Sequence, residues 1–134
     1  MKVFIDSNIP MYVAGSEHEH REPASRFLDR VEKHEIEACT STIVLQEILS
    51  RYAGLGRRDL AGRIYDLFVE ACPEVLDVTL ADTDRARDLI ANGVTSIPRH
   101  AIHAAVMLNH EIEWIATFDR DFDRIAGIRR MKLA

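Results

Sequence analysis

The sequence predicts an α/β fold, a three-layer α/β/α sandwich with a mainly parallel central sheet. Short apolar runs alternate with amphipathic segments along all 134 residues, the pattern of strands joined by covering helices. The first run, Lys2-Val3-Phe4-Ile5, is β-branched and aromatic, as in a strand buried on both faces. It stops at Asp6-Ser7-Asn8, and in open α/β sheets ligands bind outside the carboxyl ends of such strands. Asp6 is therefore a candidate functional group. The plainer alternative is that Asp6 or Ser7 caps the next helix.

After this strand, residues 8–14 read as a short helix with Pro10 in its first turn. Pro23 opens a helix to about Lys33, with Ala24, Phe27, Leu28 and Val31 on one face. Glu37 to Thr40 is a strand, and Thr40-Ser41-Thr42 a capping cluster. Thr42 to about Ala53 forms a helix with an apolar stripe of Val44, Leu45, Ile48, Leu49 and Tyr52. Glu47 lies off the centre of that stripe, early in a helix leaving a strand end, although most helix glutamates are simply solvated. Residues 57–71 form the next helix, and Val75 to Val78 the third strand. Residues 81–91 form a helix closed by Asn92-Gly93. Pro98 starts a helix that is apolar almost all round from Ala101 to Leu108. Ile112 to Phe118 is a fourth strand, followed by Asp119-Arg120-Asp121-Phe122-Asp123, and Ile128 to Leu133 supplies a last strand.

Length and composition fit one domain, residues 1–134, with a core that needs no staples. Apolar residues make up 47% and charged residues 29%, values of an ordinary soluble globule. No apolar run is long enough to span a bilayer, and no basic segment with an apolar continuation marks secretion. A cytoplasmic protein without membrane association is expected. Cys39 and Cys72 make no metal spacing and read as reduced core residues. The net charge of −5 argues against a broad electropositive grip on nucleic acid. It does not exclude a nuclease, because catalytic carboxylates are themselves acidic until metal fills them. Arg57, Arg58 and Arg63 form one basic patch, and Arg129, Arg130 and Lys132 another. Surface solvation is the default account of both, and phosphate contact the alternative.

Asp6, Glu47, and Asp119 with Asp121 thus stand at strand ends or on the segments leaving them. Carboxylates converging there with few basic partners repel one another, and divalent cations remove that cost. Such a site suits phosphodiester hydrolysis, in which metal activates water and stabilises charge on phosphate.

The order and surroundings of these residues resemble the PIN-domain family, specifically the VapC-type ribonuclease toxins. The matching fragments are Phe4-Ile5-Asp6-Ser7-Asn8, Ser41-Thr42-Ile43-Val44-Leu45-Gln46-Glu47, Pro98-Arg99-His100-Ala101-Ile102-His103-Ala104-Ala105, and Ala116-Thr117-Phe118-Asp119-Arg120-Asp121-Phe122. The resemblance implies the three-layer sandwich, Mg²⁺- or Mn²⁺-dependent RNA cleavage, a homodimer and a small antitoxin partner. It carries Asp6, Glu47 and Asp119 over as catalytic, metal-binding acids, with Asp121 a fourth. Asn8 and Thr117 become polar supports, and Arg99 and Arg120 candidates for RNA contact.

One position departs from the family. Where most members have an aspartate opening the penultimate helix, this chain has His100. A neutral imidazole can ligate metal but adds no negative charge and favours Mn²⁺ or Zn²⁺ over Mg²⁺. A substituted ligand, a loss of activity and an altered sequence are all open at this point. His100, His103 and His110 share a helix face, but a zinc site there is set aside, since the family commonly has a histidine at the His103 position with no metal role.

Two other functions compete with the nuclease. A catalytically weakened module of the same fold would act through protein or RNA binding, with His100 having emptied the metal site. A phospho-accepting receiver or haloacid-type phosphatase shares the sheet and an aspartate after a strand. The phosphatase expects a second aspartate where Asn8 stands, and the receiver's early acidic pair and late lysine are absent. The nuclease reading expects Asp6, Glu47 and Asp119 around one open pocket, with His100 on its wall and Asp6 the most buried acid.

Overall fold

The computed structural model describes residues 1–133; Ala134, the last residue of the expected domain, lies outside them. Five strands form one sheet in the order β3-β2-β1-β4-β5, every neighbouring pair parallel. They are β1 (Lys2–Ile5), β2 (Glu37–Ser41), β3 (Glu74–Leu76), β4 (Trp114–Ala116) and β5 (Arg129–Arg130). Six helices connect them: α1 (Asn8–Ala14), α2 (Arg21–Glu32), α3 (Thr42–Gly54), α4 (Arg58–Ala71), α5 (Leu80–Ala91) and α6 (Pro98–Asn109). A short 3-10 helix, Arg120–Arg124, follows β4.

Strand β1 lies at the centre, with Val3, Phe4 and Ile5 fully buried. From β1 the chain steps outward through β2 and β3, then returns past β1 to β4. Right-handed crossovers put the connections of these two directions on opposite faces of the sheet. The packing agrees: α1 to α4 contact one another, while α5 packs on α6 and α6 on the 3-10 helix. The reversal at β1 opens a crevice at its carboxyl end, the usual ligand position of such sheets. Asp6 stands there, its backbone N–H still bonded to the Ala116 carbonyl at 3.1 Å.

Several elements differ from expectation at their ends. The fourth strand is confined to Trp114–Ala116. Thr117 leaves the ladder to turn its hydroxyl toward Asp6. Ser41 is the N-cap of α3, but its side chain makes no capping bond and its hydroxyl is buried without a partner. Helix α5 begins earlier than residue 81, because Thr79 and Asp82 close a reciprocal capping box. Its other end is as expected: Gly93 has φ +70°, and Val94 N–H donates to the Leu89 carbonyl at 3.0 Å. Only glycine adopts that conformation without cost. Cys39 and Cys72 are buried free thiols, and burial pushes both up to about 12, so neither is a reactive thiolate near neutral pH.

Asp82 closes the cap of α5 and ties that helix to Asn109 at the end of α6. Its carboxylate accepts Asn109 Nδ2 at 2.7 Å, Thr79 N–H at 2.9 Å and the Thr79 hydroxyl at 3.1 Å. Burial favours its neutral form, but these donors outweigh it and hold the carboxyl below its ordinary range. The stability it contributes is present above the unfolded carboxylate pKa, about 3.9, and is lost as pH falls through the lower folded value. Asp82→Ala is expected to destabilise the protein by about 1–2 kcal/mol at neutral pH. Urea unfolding checks this, and the gap from the parent closes on acidification.

Candidate active site

The carboxyl end of β1 and the starts of three helices build one open cleft. It is lined by Asp6, Asn8, Glu47, Arg99, His100 and Asp119, among others. The acids of β1, α3 and the β4 turn therefore meet across the cleft, with His100 of α6 on its wall. Asp6, 4% exposed, is the most enclosed of the cleft's acids, although the capping residue Asp82 is more buried at 1%.

Asp6 is held from both sides. Its Oδ1 accepts the Ser7 N–H at 2.7 Å, and its Oδ2 accepts the Thr117 hydroxyl at 2.7 Å. The carboxylate is not spent on capping: Ser7 is the N-cap of α1 and makes no side-chain cap. Thr117 Oγ1 also accepts Asn8 Nδ2 at 3.0 Å and the Asp119 N–H at 3.1 Å. One hydroxyl thus orients an acid of β1 and the backbone of another after β4. Asn8 Oδ1 remains buried and unpartnered.

Glu47 reaches the same point from α3. Its Oε2 accepts the Ser7 hydroxyl at 2.9 Å. Its Oε1 lies 2.6 Å from His103 Nε2, which is itself 3.6 Å from Asp6 Oδ1. The close approach lacks hydrogen-bond alignment, and Glu47 Oε1 and both nitrogens of the fully buried His103 ring have no hydrogen-bond partner. Burial favours neutral Glu47, but His103 and the Ser7 hydroxyl outweigh it and keep the carboxyl below its usual range. For His103, burial disfavours the charged ring, but Glu47 and Asp6 overcome it and raise the imidazole above its ordinary value.

Asp119 and Asp121 are tied by His100. Its Nε2 lies 2.9 Å from Asp119 Oδ2 and its Nδ1 2.8 Å from Asp121 Oδ2. Asp121 Oδ2 also accepts the Thr95 hydroxyl at 2.6 Å, and Asp119 Oδ1 accepts the Asp121 N–H at 3.0 Å. The Thr95 hydroxyl is the main reason that the Asp121 carboxyl falls below its ordinary range, with His100 adding to it against partial burial. Asp121 thus sits behind the ring, outside the residues lining the cleft. Arg99 lines the acid cleft, whereas Arg120 lines the neighbouring one.

Two participants were not among the predicted site residues. Ser7 bridges Asp6 and Glu47 through its hydroxyl, and His103 packs against both acids. The signal for His103 was an ionisable residue in the most apolar stretch of the longest-buried helix, one turn after His100. His110 joins neither histidine; its Nδ1 faces the Val106 carbonyl at 2.9 Å.

A hard divalent cation fits this donor set. Asp6, Glu47 and His103 offer ligand atoms within 4.8 Å of one another, and an orphaned buried carboxylate oxygen on Glu47 is a group that a cation would satisfy. Asp119 lines the same cleft but is not one of these three; carboxylate oxygens are the donors that hard divalent cations prefer.

Comparisons with known proteins bear on the family and the fold. The PIN domain family model matches residues 3–128. The chain is 37% identical over 129 residues to the VapC ribonuclease Mb1869c of Mycobacterium bovis, covering 96% of this chain and 98% of the relative. Ribonuclease VapC23 of Mycobacterium tuberculosis is 32% identical over 117 residues, covering 87% of this chain and 92% of that one. Among solved structures, VapBC2 of Rickettsia felis bound to a promoter DNA fragment aligns with a TM-score of 0.74 at 15% identity, covering 98% of each chain. VapC20 of Mycobacterium tuberculosis, a toxin cleaving the sarcin–ricin loop, aligns with a TM-score of 0.74 at 18% identity, covering 90% of this chain and 92% of that one. At those identities the structural likeness speaks for the fold alone.

Proposed function

The chain belongs to the PIN-domain family, and from that premise we propose that it is a metal-dependent endoribonuclease, the toxin of a toxin–antitoxin pair. The observation that carries this reading is the meeting of Asp6, Glu47 and Asp119 in one cleft at the end of β1. Asp6, Glu47 and Asp119 would hold Mg²⁺ or Mn²⁺, with His103 pressed against the first two. The metal, when bound, supplies an activated water and stabilises charge on the phosphate. The chain's own groups prepare for that. Thr117 and Ser7 fix the rotamer of Asp6, Ser7 and His103 keep Glu47 ionised, and Asn8 steadies Thr117. Arg99 is placed to meet the negative charge of the RNA backbone in the cleft.

This reading carries a small antitoxin partner, supported by the toxin–antitoxin complexes among the structural neighbours. It also carries a homodimer and a cytoplasmic location. No helix among the described residues is long and apolar enough to cross a membrane. One observation favours the second reading, a catalytically weakened module: His100 occupies oxygens of both Asp119 and Asp121.

Metal binding should raise the melting temperature, since a ligand bound only by the folded state stabilises it by mass action. At a concentration about a hundred times Kd the gain is about 2.7 kcal/mol, or roughly ten degrees for a domain this size. A thermal scan with millimolar Mn²⁺ or Mg²⁺ tests the site, and indifference to both ions counts against it. Cleavage of a mixed RNA substrate with each ion tests the function itself.

A further inference from the structure

A second cleft lies on the far side of the turn that carries Asp119. It encloses about 740 Å³ and is lined by His20, Phe118, Arg120, Arg130 and Lys132, among others. Phe118 and Arg120 flank Asp119 in the chain, so this cleft begins within one residue of a candidate metal ligand.

Its wall is an aromatic platform. The His20 ring lies flat on Phe118, with centroids 4.0 Å apart and planes 11° from parallel. Tyr12 braces the pair edge-on, at 5.4 Å from Phe118 and 5.1 Å from His20. Packing of α1 against the β4 turn explains Tyr12 and Phe118. His18, stacked on Tyr12 and 5.0 Å from His20, joins the same ring cluster, and His20 and Phe118 are the two of its rings that line the open cleft. The facing cations complete the pattern. Arg130 is committed to Asp123 by two bonds, at 2.8 and 3.0 Å, whereas Arg120 and Lys132 form no ion pair among the described residues. Flat rings beside uncommitted cations are what single-stranded nucleic acid requires of a protein surface.

We infer that this cleft is a nucleobase subsite: a base next to the cleaved phosphodiester stacks on the His20–Phe118 pair, while Arg120 and Lys132 meet its phosphates. The inference rests on the nuclease reading and adds to it a determinant of where RNA is cut. Arg120 acts here rather than among the acids, consistent with its place in this cleft.

The test uses the full chain with a chelator, so that metal-dependent cleavage is silent. Fluorescence anisotropy compares a labelled hexauridylate with an abasic strand of equal length and charge. The parent should bind the base-bearing strand at least about fivefold more tightly, the low end of a stacking contribution. His20→Leu should erase that preference and leave abasic affinity unchanged, which also shows that the variant is folded. His20→Phe should keep the preference. A parent that binds both strands equally, or a His20→Leu protein that retains the preference, overturns the subsite. A parent that binds neither strand also overturns it, and cleavage of mixed RNA with Mn²⁺ then separates the causes. Cleavage there leaves the nuclease reading standing; its absence with both Mn²⁺ and Mg²⁺ removes both.

Discussion

His100→Asp is expected to raise Mg²⁺-dependent RNA cleavage by about a hundredfold. The imidazole engages one oxygen each of Asp119 and Asp121, at 2.9 and 2.8 Å. A cation seeking those oxygens must displace a hydrogen bond to the Asp121 carboxylate, of the stronger charge-assisted kind, and the close contact to Asp119. A carboxylate at this position releases them and adds a negative charge on the cleft wall. One unit charge about 5 Å from a cation contributes about 3 kcal/mol at an effective dielectric of 20, or about two decades in affinity for each unit of ion charge that is not screened. Mg²⁺ should gain most, because it demands oxygen ligands in near-octahedral geometry. Mn²⁺ tolerates imidazole better, so the parent should cleave better with Mn²⁺ than with Mg²⁺. Initial rates on a mixed RNA, parent against variant with each ion, give the answer. Equal rates in Mg²⁺ would mean that His100 is no handicap and that its ring moves aside when metal enters.

Asp6→Asn should remove the metal response altogether while leaving the fold intact. The amide keeps the shape of the carboxylate, and its oxygen can still accept the Thr117 hydroxyl, although its NH2 then faces the Ser7 N–H. What disappears is the charge nearest the centre of the cleft, and with it several kcal/mol of cation binding. A loss of cleavage of about a thousandfold or more is expected, at 1.36 kcal/mol for each factor of ten. The metal-free melting temperature should change little: relief of the Asp6–Glu47 repulsion is set against the lost attraction to His103 and one lost acceptor. Parallel thermal scans with and without Mn²⁺ separate a lost site from a lost fold. A variant that still gains stability from Mn²⁺ would move the site away from Asp6.

The two positions also mark how far the sequence could be read. Asp6 was legible because a buried strand followed by a polar stop is a local pattern, and its consequence follows from sheet geometry alone. Glu47 and Asp119 were legible as acids after strands, yet their meeting in one cleft depends on a strand order that no local pattern states. The capping box of α5 escaped because Asp82 serves it as a near-helix acid among other charged residues. The clamp of His100 on two aspartates joins residues 19 and 21 positions apart, and nothing local distinguishes it from a ligand facing outward. His103 was read by analogy as a histidine without a metal role. Only its lack of exposure and its distance from Glu47 show that it is packed into the acidic centre. The ends of β4 were misjudged for a similar reason: Thr117 has strand propensity, and the demand of Asp6 for a donor overrides it.

The Thr117–Asp6 hydrogen bond spans 111 positions of sequence, which gives the site a timetable as well as a shape. A chain emerging from the ribosome carries Asp6 from the start, but the hydroxyl that orients it is made near the end. At about 5–20 residues per second, synthesis separates the two by roughly 6 to 22 seconds. The strand beside β1 that completes the crevice is β4, so no shorter nascent chain can assemble the acids. Non-local pairing of this kind is slow to form. On the nuclease reading a half-made chain therefore cannot cut, and the ability to cut arrives in one late step.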